Sequence, residues 1–97
     1  MRDELADKPG LLFKERVLEI LLTIYSGENE GKEIYIQYIA NKINSPHSYV
    51  WLVIKKLEDV GLVESVQSGR VRIIHLTDKG YEVCSHIKKI IELLDRG

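Results

Sequence analysis

Between residues 46 and 60 the apolar positions repeat at helical spacing. Val50, Val53, Ile54, Leu57 and Val60 fall on one face of a helix. The flanks carry boundary signals. Ser45 is placed to accept from free amides at the helix start, Pro46 suits the first helical position, and Gly61 suits a left-handed stop. Turned about 100° per residue, the other face carries Ser48, Trp51, Leu52, Lys55 and Asp59. A cation, polar groups and a large aromatic share that outward face, which is either a solvated surface or a reading surface.

The rest of the pattern frames this helix. Residues 1–10 mix charges with Pro9-Gly10 and read as a flexible or extended lead-in. Residues 11–26 form a helix apolar over more than one face, so it touches two neighbours. The stretch from Gly27 to Gly31 reads as a loop, and Glu33 to Tyr35 as a very short strand. Ile36, Ile39, Ala40 and Ile43 mark a short second helix, ended by Asn44, which tolerates the left-handed conformation. Only Asn44 and Ser45 separate it from the helix described first, a helix-turn-helix spacing. Residues 62–67 and 70–76 are rich in Val and Ile and flank Ser68-Gly69, which predicts a hairpin with a tip of two residues or longer. Strand alternation puts Arg70 and Arg72 on one face and Val71 and Ile73 on the other. Thr77 as N-cap opens a last helix over residues 78–95, with Val83, Cys84, Ile87, Ile90, Ile91 and Leu94 in its apolar stripe.

Composition changes this picture little. Ninety-seven residues, 44% apolar and 30% charged, suit one small soluble domain. No apolar run approaches the roughly 18 residues of a membrane span, and the acidic start is unlike a secretory signal, so the cytoplasm is the expected location. Net charge is −1, but residues 34–76 hold five basic and three acidic side chains and are the net-positive part. Twelve isoleucines against two alanines suit a heat-adapted source. One cysteine excludes an internal disulfide or a thiolate cluster. Three scattered histidines, no Gly-rich phosphate loop and no ligand spacing argue against an enzyme, a metal site or a cofactor. No effector pocket is evident.

The predicted order is helix, short strand, helix, helix, hairpin, helix, an α+β, mostly α, winged helix-turn-helix. Lys56-Leu57-Glu58-Asp59-Val60-Gly61-Leu62-Val63 resembles the end of the recognition helix in MarR-like regulators. Leu76-Thr77-Asp78-Lys79-Gly80 resembles the "LTxxG" after their wing, and Ile39-Ala40 the "LA" of their second helix. The likeness covers about residues 11–94 of a winged-helix domain at 11–97. It implies a DNA-binding homodimer with helix 46–60 in the major groove and wing 62–76 on the backbone or minor groove. By position, Ser48, Tyr49, Trp51, Leu52, Lys55 and Lys56 fall where groove-facing residues lie, and Arg70 at the wing tip. Trp51 and Leu52 depart from the usual polar groups, and Tyr35 from the usual Ser or Thr cap. The chain is also shorter than full MarR proteins, closer to a compact archaeal or viral member.

Each candidate has a plain alternative. Lys55, Lys56, Arg70 and Arg72 hold phosphates or merely solubilise their surface; Ser48 and Tyr49 offer hydroxyls to DNA, or Ser48 bonds its own helix end. Trp51 contacts DNA or fills a gap between helix and wing. His47 neutralises a phosphate or has no task, and His75 is a strand residue. The stripe Cys84, Ile87, Ile90, Ile91 and Leu94 exceeds what one small core hides, which predicts dimerisation through the last helix. If two such helices pair about a two-fold axis, Cys84 meets its copy and an intersubunit disulfide is in reach; otherwise it is a small core residue. The resulting expectation is a homodimeric transcriptional regulator on double-stranded DNA; the alternative is a winged-helix protein–protein interaction module in a transcription or replication complex.

Overall fold

The computed structural model describes residues 7–96. Its elements are α1 (Asp7–Leu12), α2 (Glu15–Asn29), α3 (Ile36–Ile43), α4 (His47–Asp59), β1 (Val63–Ser68), β2 (Val71–Leu76) and α5 (Asp78–Asp95). Val17, Ile20, Leu21 and Ile24 of α2 lie at the centre of the core, between α3, α4, the hairpin and the first half of α5. From α4 the inward side chains are Val50, Val53, Ile54 and Leu57, as the periodicity predicts.

The α3–α4 joint sets the direction of α4. Asn44 takes the left-handed conformation at φ 54°, and the Ser45 amide donates to the Ala40 carbonyl. Ser45 is thus used to close α3, and Pro46, not Ser45, occupies the N-cap of α4 without a side-chain bond. At its other end α4 closes on Gly61, at φ 80°. The Gly61 amide donates to the Glu58 carbonyl and the Leu62 amide to the Leu57 carbonyl, both at 3.0 Å.

Three local expectations are corrected. The first helix is two helices, because Lys14 is extended (φ −83°, ψ 132°) and breaks the chain after α1. Residues 7–10, expected as lead-in, are helical, with Pro9 in the first turn, where its missing amide costs nothing; residues 1–6 lie outside the described ones. Gly27 is not a loop residue but a buried residue of α2, and a Cβ there would collide with the Ile34 side chain at 2.3 Å.

The wing also differs by one residue. Ser68 pairs with Val71, so the tip is the two residues Gly69 and Arg70. Gly69 alone has positive φ there (61°), as in a primed turn that opens on glycine. Arg70 is therefore a turn residue and does not share a strand face with Arg72. Arg72 instead alternates with buried Ile74 and Leu76, on the face toward the helices, while Val71, Ile73 and His75 point away. The short strand exists as one added rung: the Ile74 amide donates to the Ile34 carbonyl at 2.8 Å, and Tyr35 bridges Ile73.

Thr77 caps α5 as expected, accepting from the Gly80 amide at 3.0 Å. The apolar stripe of α5 divides. Cys84 and Ile87 belong to the subunit's own core, whereas Ile90 (51% exposed), Ile91, Leu93 and Leu94 (79% exposed) face solvent. Cys84 is 0% exposed, with its thiol toward the Leu21 carbonyl, so the folded subunit cannot offer it to a second copy for a disulfide. Burial pushes that thiol up to about 12. Two outcomes are expected. Iodoacetamide at mildly alkaline pH should leave the native protein unmodified and label it after denaturation, as mass spectrometry will show. Stability should be fully present below the unfolded thiol's pKa of about 8.5 and fall as pH rises toward the folded value, because only the unfolded chain releases the proton.

Candidate nucleic-acid interface

The outward face of α4 is largely open to solvent. Ser48, Leu52, Lys55, Lys56 and Asp59 are exposed, and Trp51 is half-buried. Helical geometry produces this directly: with Val50, Val53 and Leu57 turned inward, positions 48, 52, 55 and 59 must turn outward. Tyr49 differs from its neighbours because it packs against the core cluster, which draws it away from that face. His47, at the first turn, has Nε2 3.1 Å from Gln37 Oε1 of α3 and ties the two helices of the corner together.

The wing folds back against this face. Lys55 Nζ lies 5.3 Å from the Trp51 ring centroid, and the Arg72 guanidinium 5.4 Å from the same centroid. Both are within reach of a cation–aromatic attraction. Arg72 is fastened a second time: its Nη1 donates to Ser65 Oγ at 3.2 Å, and that hydroxyl donates to Glu58 Oε2 at 3.0 Å. A continuous chain thus runs from the end of α4 through β1 and β2 back to the middle of α4. The guanidinium has five donors, so this grip leaves others free. Arg70 is exposed at the tip.

Of the sequence-predicted residues, Trp51, Lys55 and Arg72 are brought into one cluster, with Ser48 and Leu52 on the same exposed side of α4. Lys56 is exposed about 100° round the helix from Lys55. Ser65 and Glu58 were not legible as part of this group. A hydroxyl–carboxylate contact across a hairpin leaves no periodic trace, and Glu58 reads simply as a solvated residue in the last turn of α4.

A second polar junction holds the base of the wing. Glu28, in the last turn of α2, accepts from the Leu76 amide at 2.7 Å and lies 3.3 Å from His75 Nδ1. His75 is thereby a strand residue with a structural partner. Burial, with the nearby Glu28 carboxylate, pushes the Tyr81 phenol upward, and Tyr81 meets Tyr25 edge-on at 6.1 Å. Lys79 donates to the Val60 carbonyl at 2.8 Å, joining α5 to the end of α4. Among the described residues no group of three His, Cys, Asp or Glu side chains is arranged to hold a metal ion, and no helix is long and apolar enough to cross a membrane.

A tight two-helix corner, an outward second helix, a two-stranded wing behind it and a long last helix define a winged helix-turn-helix domain. No family profile matches the chain. A protein of Archaeoglobus fulgidus, described only as uncharacterized, is 56% identical over 85 residues, covering 88% of this chain and 90% of its own. The crystal structure of AF1382 from Archaeoglobus fulgidus shares 53% identity over 94% of this chain and 100% of its own, with a TM-score of 0.84. The chain belongs to the family of these archaeal proteins. More distant structures share the fold: the homodimeric winged helix-turn-helix DNA-binding domain of Mb0332 from Mycobacterium bovis is 17% identical, covering 86% of this chain and 73% of its own, with a TM-score of 0.72.

Proposed function

We propose that the protein is a transcription regulator that binds double-stranded DNA as a homodimer. The observation that carries this is the cluster of Lys55 and Arg72 around Trp51, on the outward face of α4 and beside an exposed Arg70. Positive charge is gathered where a groove-entering helix and its wing converge, in a chain whose net charge is −1. Lys55, Arg70 and Arg72 supply phosphate affinity, with Lys56 flanking. Ser48 and Leu52 supply base preference, Trp51 acts through the cations around it, and Tyr49 contributes only through its hydroxyl edge. Dimerisation runs through the exposed half of α5, in keeping with the homodimeric state of the Mycobacterium bovis domain. The two recognition helices then reach major grooves about 34 Å apart, on a roughly palindromic operator. The protein acts as a binding module without catalysis, in the compartment that holds the genome.

One observation favours a second reading. Leu52 is 51% exposed on the same face, an apolar group suited to a protein partner. A salt titration against duplex DNA separates the two. Three cations from each of two subunits predict a slope of log K against log salt of about −5. Replacing Lys55 and Arg70 with Ala should reduce the magnitude of that slope by about 3 to 4 and weaken binding at least tenfold at about 0.1 M salt. Wild-type protein that is folded yet does not bind duplex at about 50 mM salt assigns the face to a protein partner.

A further inference from the structure

We infer that Trp51 is a positioning residue that locks the wing to the recognition helix, so that Lys55 and Arg72 meet DNA as one preset pair. The inference rests on the DNA-binding reading for its consequence, but on the fold alone for its cause. Trp51 is half-buried, and two cations from different elements sit 5.3 and 5.4 Å from its ring centroid. Two like charges do not gather without cause. Here the π-system of one indole is within reach of both, and Glu58, through Ser65, offsets part of the charge on Arg72. The hairpin itself has exposed valines at its far end, Val66 and Val71, and little burial beyond Ile74. Without the Trp51–Arg72–Ser65–Glu58 chain, the outer half of the wing would be held to α4 by few contacts. A wing fixed in advance does not have to be ordered when DNA arrives, which improves affinity without any added contact.

The test uses the full chain and a mixed-sequence duplex of about 30 base pairs, long enough for two half-sites. Trp51→Ala should weaken binding about tenfold although no charge is removed, and Arg72→Gln about a hundredfold, because it removes a phosphate contact as well as the grip. In the double variant the loss should stay near that of Arg72→Gln alone, because the grip is already lost. Trp51→Phe keeps a ring and should bind within about threefold of wild type. A double variant weakened by the product of the two single losses, about a thousandfold, would make the indole an independent DNA contact and overturn the lock.

The DNA-free protein gives a second readout. Amide exchange across residues 63–76 should quicken in Trp51→Ala and in Arg72→Gln, with α2 unchanged. Trp51 is the chain's sole tryptophan, so its emission should also shift in Arg72→Gln. Unaltered exchange and emission overturn the lock even if DNA binds. Quickened exchange in a protein whose wild type ignores the duplex keeps the lock and removes the regulator.

Discussion

Replacing Ile90 and Leu94 with Lys is expected to give a folded monomer that binds its operator at least a hundredfold more weakly. Both side chains lie past Ile87, where α5 has left the subunit and every residue through Arg96 is exposed. With Ile91 and Leu93 they form an apolar strip that the subunit cannot cover, and Phe13, 58% exposed, adds to the apolar surface left uncovered between α1 and α2. Scaled by their exposure, eight such side chains buried against a second copy contribute on the order of 10 kcal/mol, comparable to the cost of association, so losing half of them is enough to part the two copies. Lysines there bring four cations together near the proposed two-fold axis. They leave the helix itself intact, since Lys is a good helix former and suits the negative end of the dipole. Because the change adds positive charge, electrostatics alone would raise affinity for DNA. A loss therefore reports the broken dimer, whose second half-site supplies an avidity of about 10²–10⁴. Sedimentation equilibrium gives the mass, circular dichroism the fold, and a titration on a selected operator the affinity. A variant that stays dimeric would move the interface elsewhere.

The parts of this molecule legible in its sequence are those whose causes are local. Asn44, Gly61 and Thr77 mark helix ends through their own conformations or hydroxyls, and each holds the position its type suggests. The inward face of α4 follows from spacing alone. What was not legible depends on contact between distant residues. No Pro or Gly marks the break at Lys14. Gly27 resembles a loop glycine because its task, making room for Ile34, appears only once α2 and the segment after it are packed. The one-residue shift in the wing follows from a turn that opens on Gly69 rather than on Ser68, and it takes Arg70 out of the strand and into the tip. The stripe on α5 is one pattern with two uses. Periodicity alone cannot say that Cys84 and Ile87 meet α2 and the core while Ile90 and Leu94 do not. At the candidate site the sequence named the cations and the indole, but not that the indole would gather them.

Gly80→Ala should lower thermal stability sharply, against the trend for a helix interior. Gly80 lies in the first turn of α5, where Ala ordinarily stabilises by up to about 1 kcal/mol. Here a Cβ would stand 2.1 Å from the Leu62 carbonyl oxygen and 3.2 Å from Leu76 Cδ2. Neither neighbour has room to yield. The Leu62 carbonyl is held by the Thr77 amide at 3.1 Å, and the Thr77 hydroxyl is held in turn by the Gly61 carbonyl at 2.6 Å. Leu62 leads into β1 and Leu76 ends β2, so both strands of the wing converge on this one hydrogen atom. Making space means pulling α5 away from the wing, breaking the Thr77 cap and exposing Leu62, Leu76 and Cys84, all of them buried. The expected cost is about 3 kcal/mol or more after the gain in propensity, which for a domain of this size lowers Tm by on the order of 15 °C. Thermal unfolding followed by circular dichroism decides the matter by sign. A rise in Tm would mean that α5 retreats from the Leu62 carbonyl without loss, and the close seat of the wing on this helix would then owe nothing to the glycine.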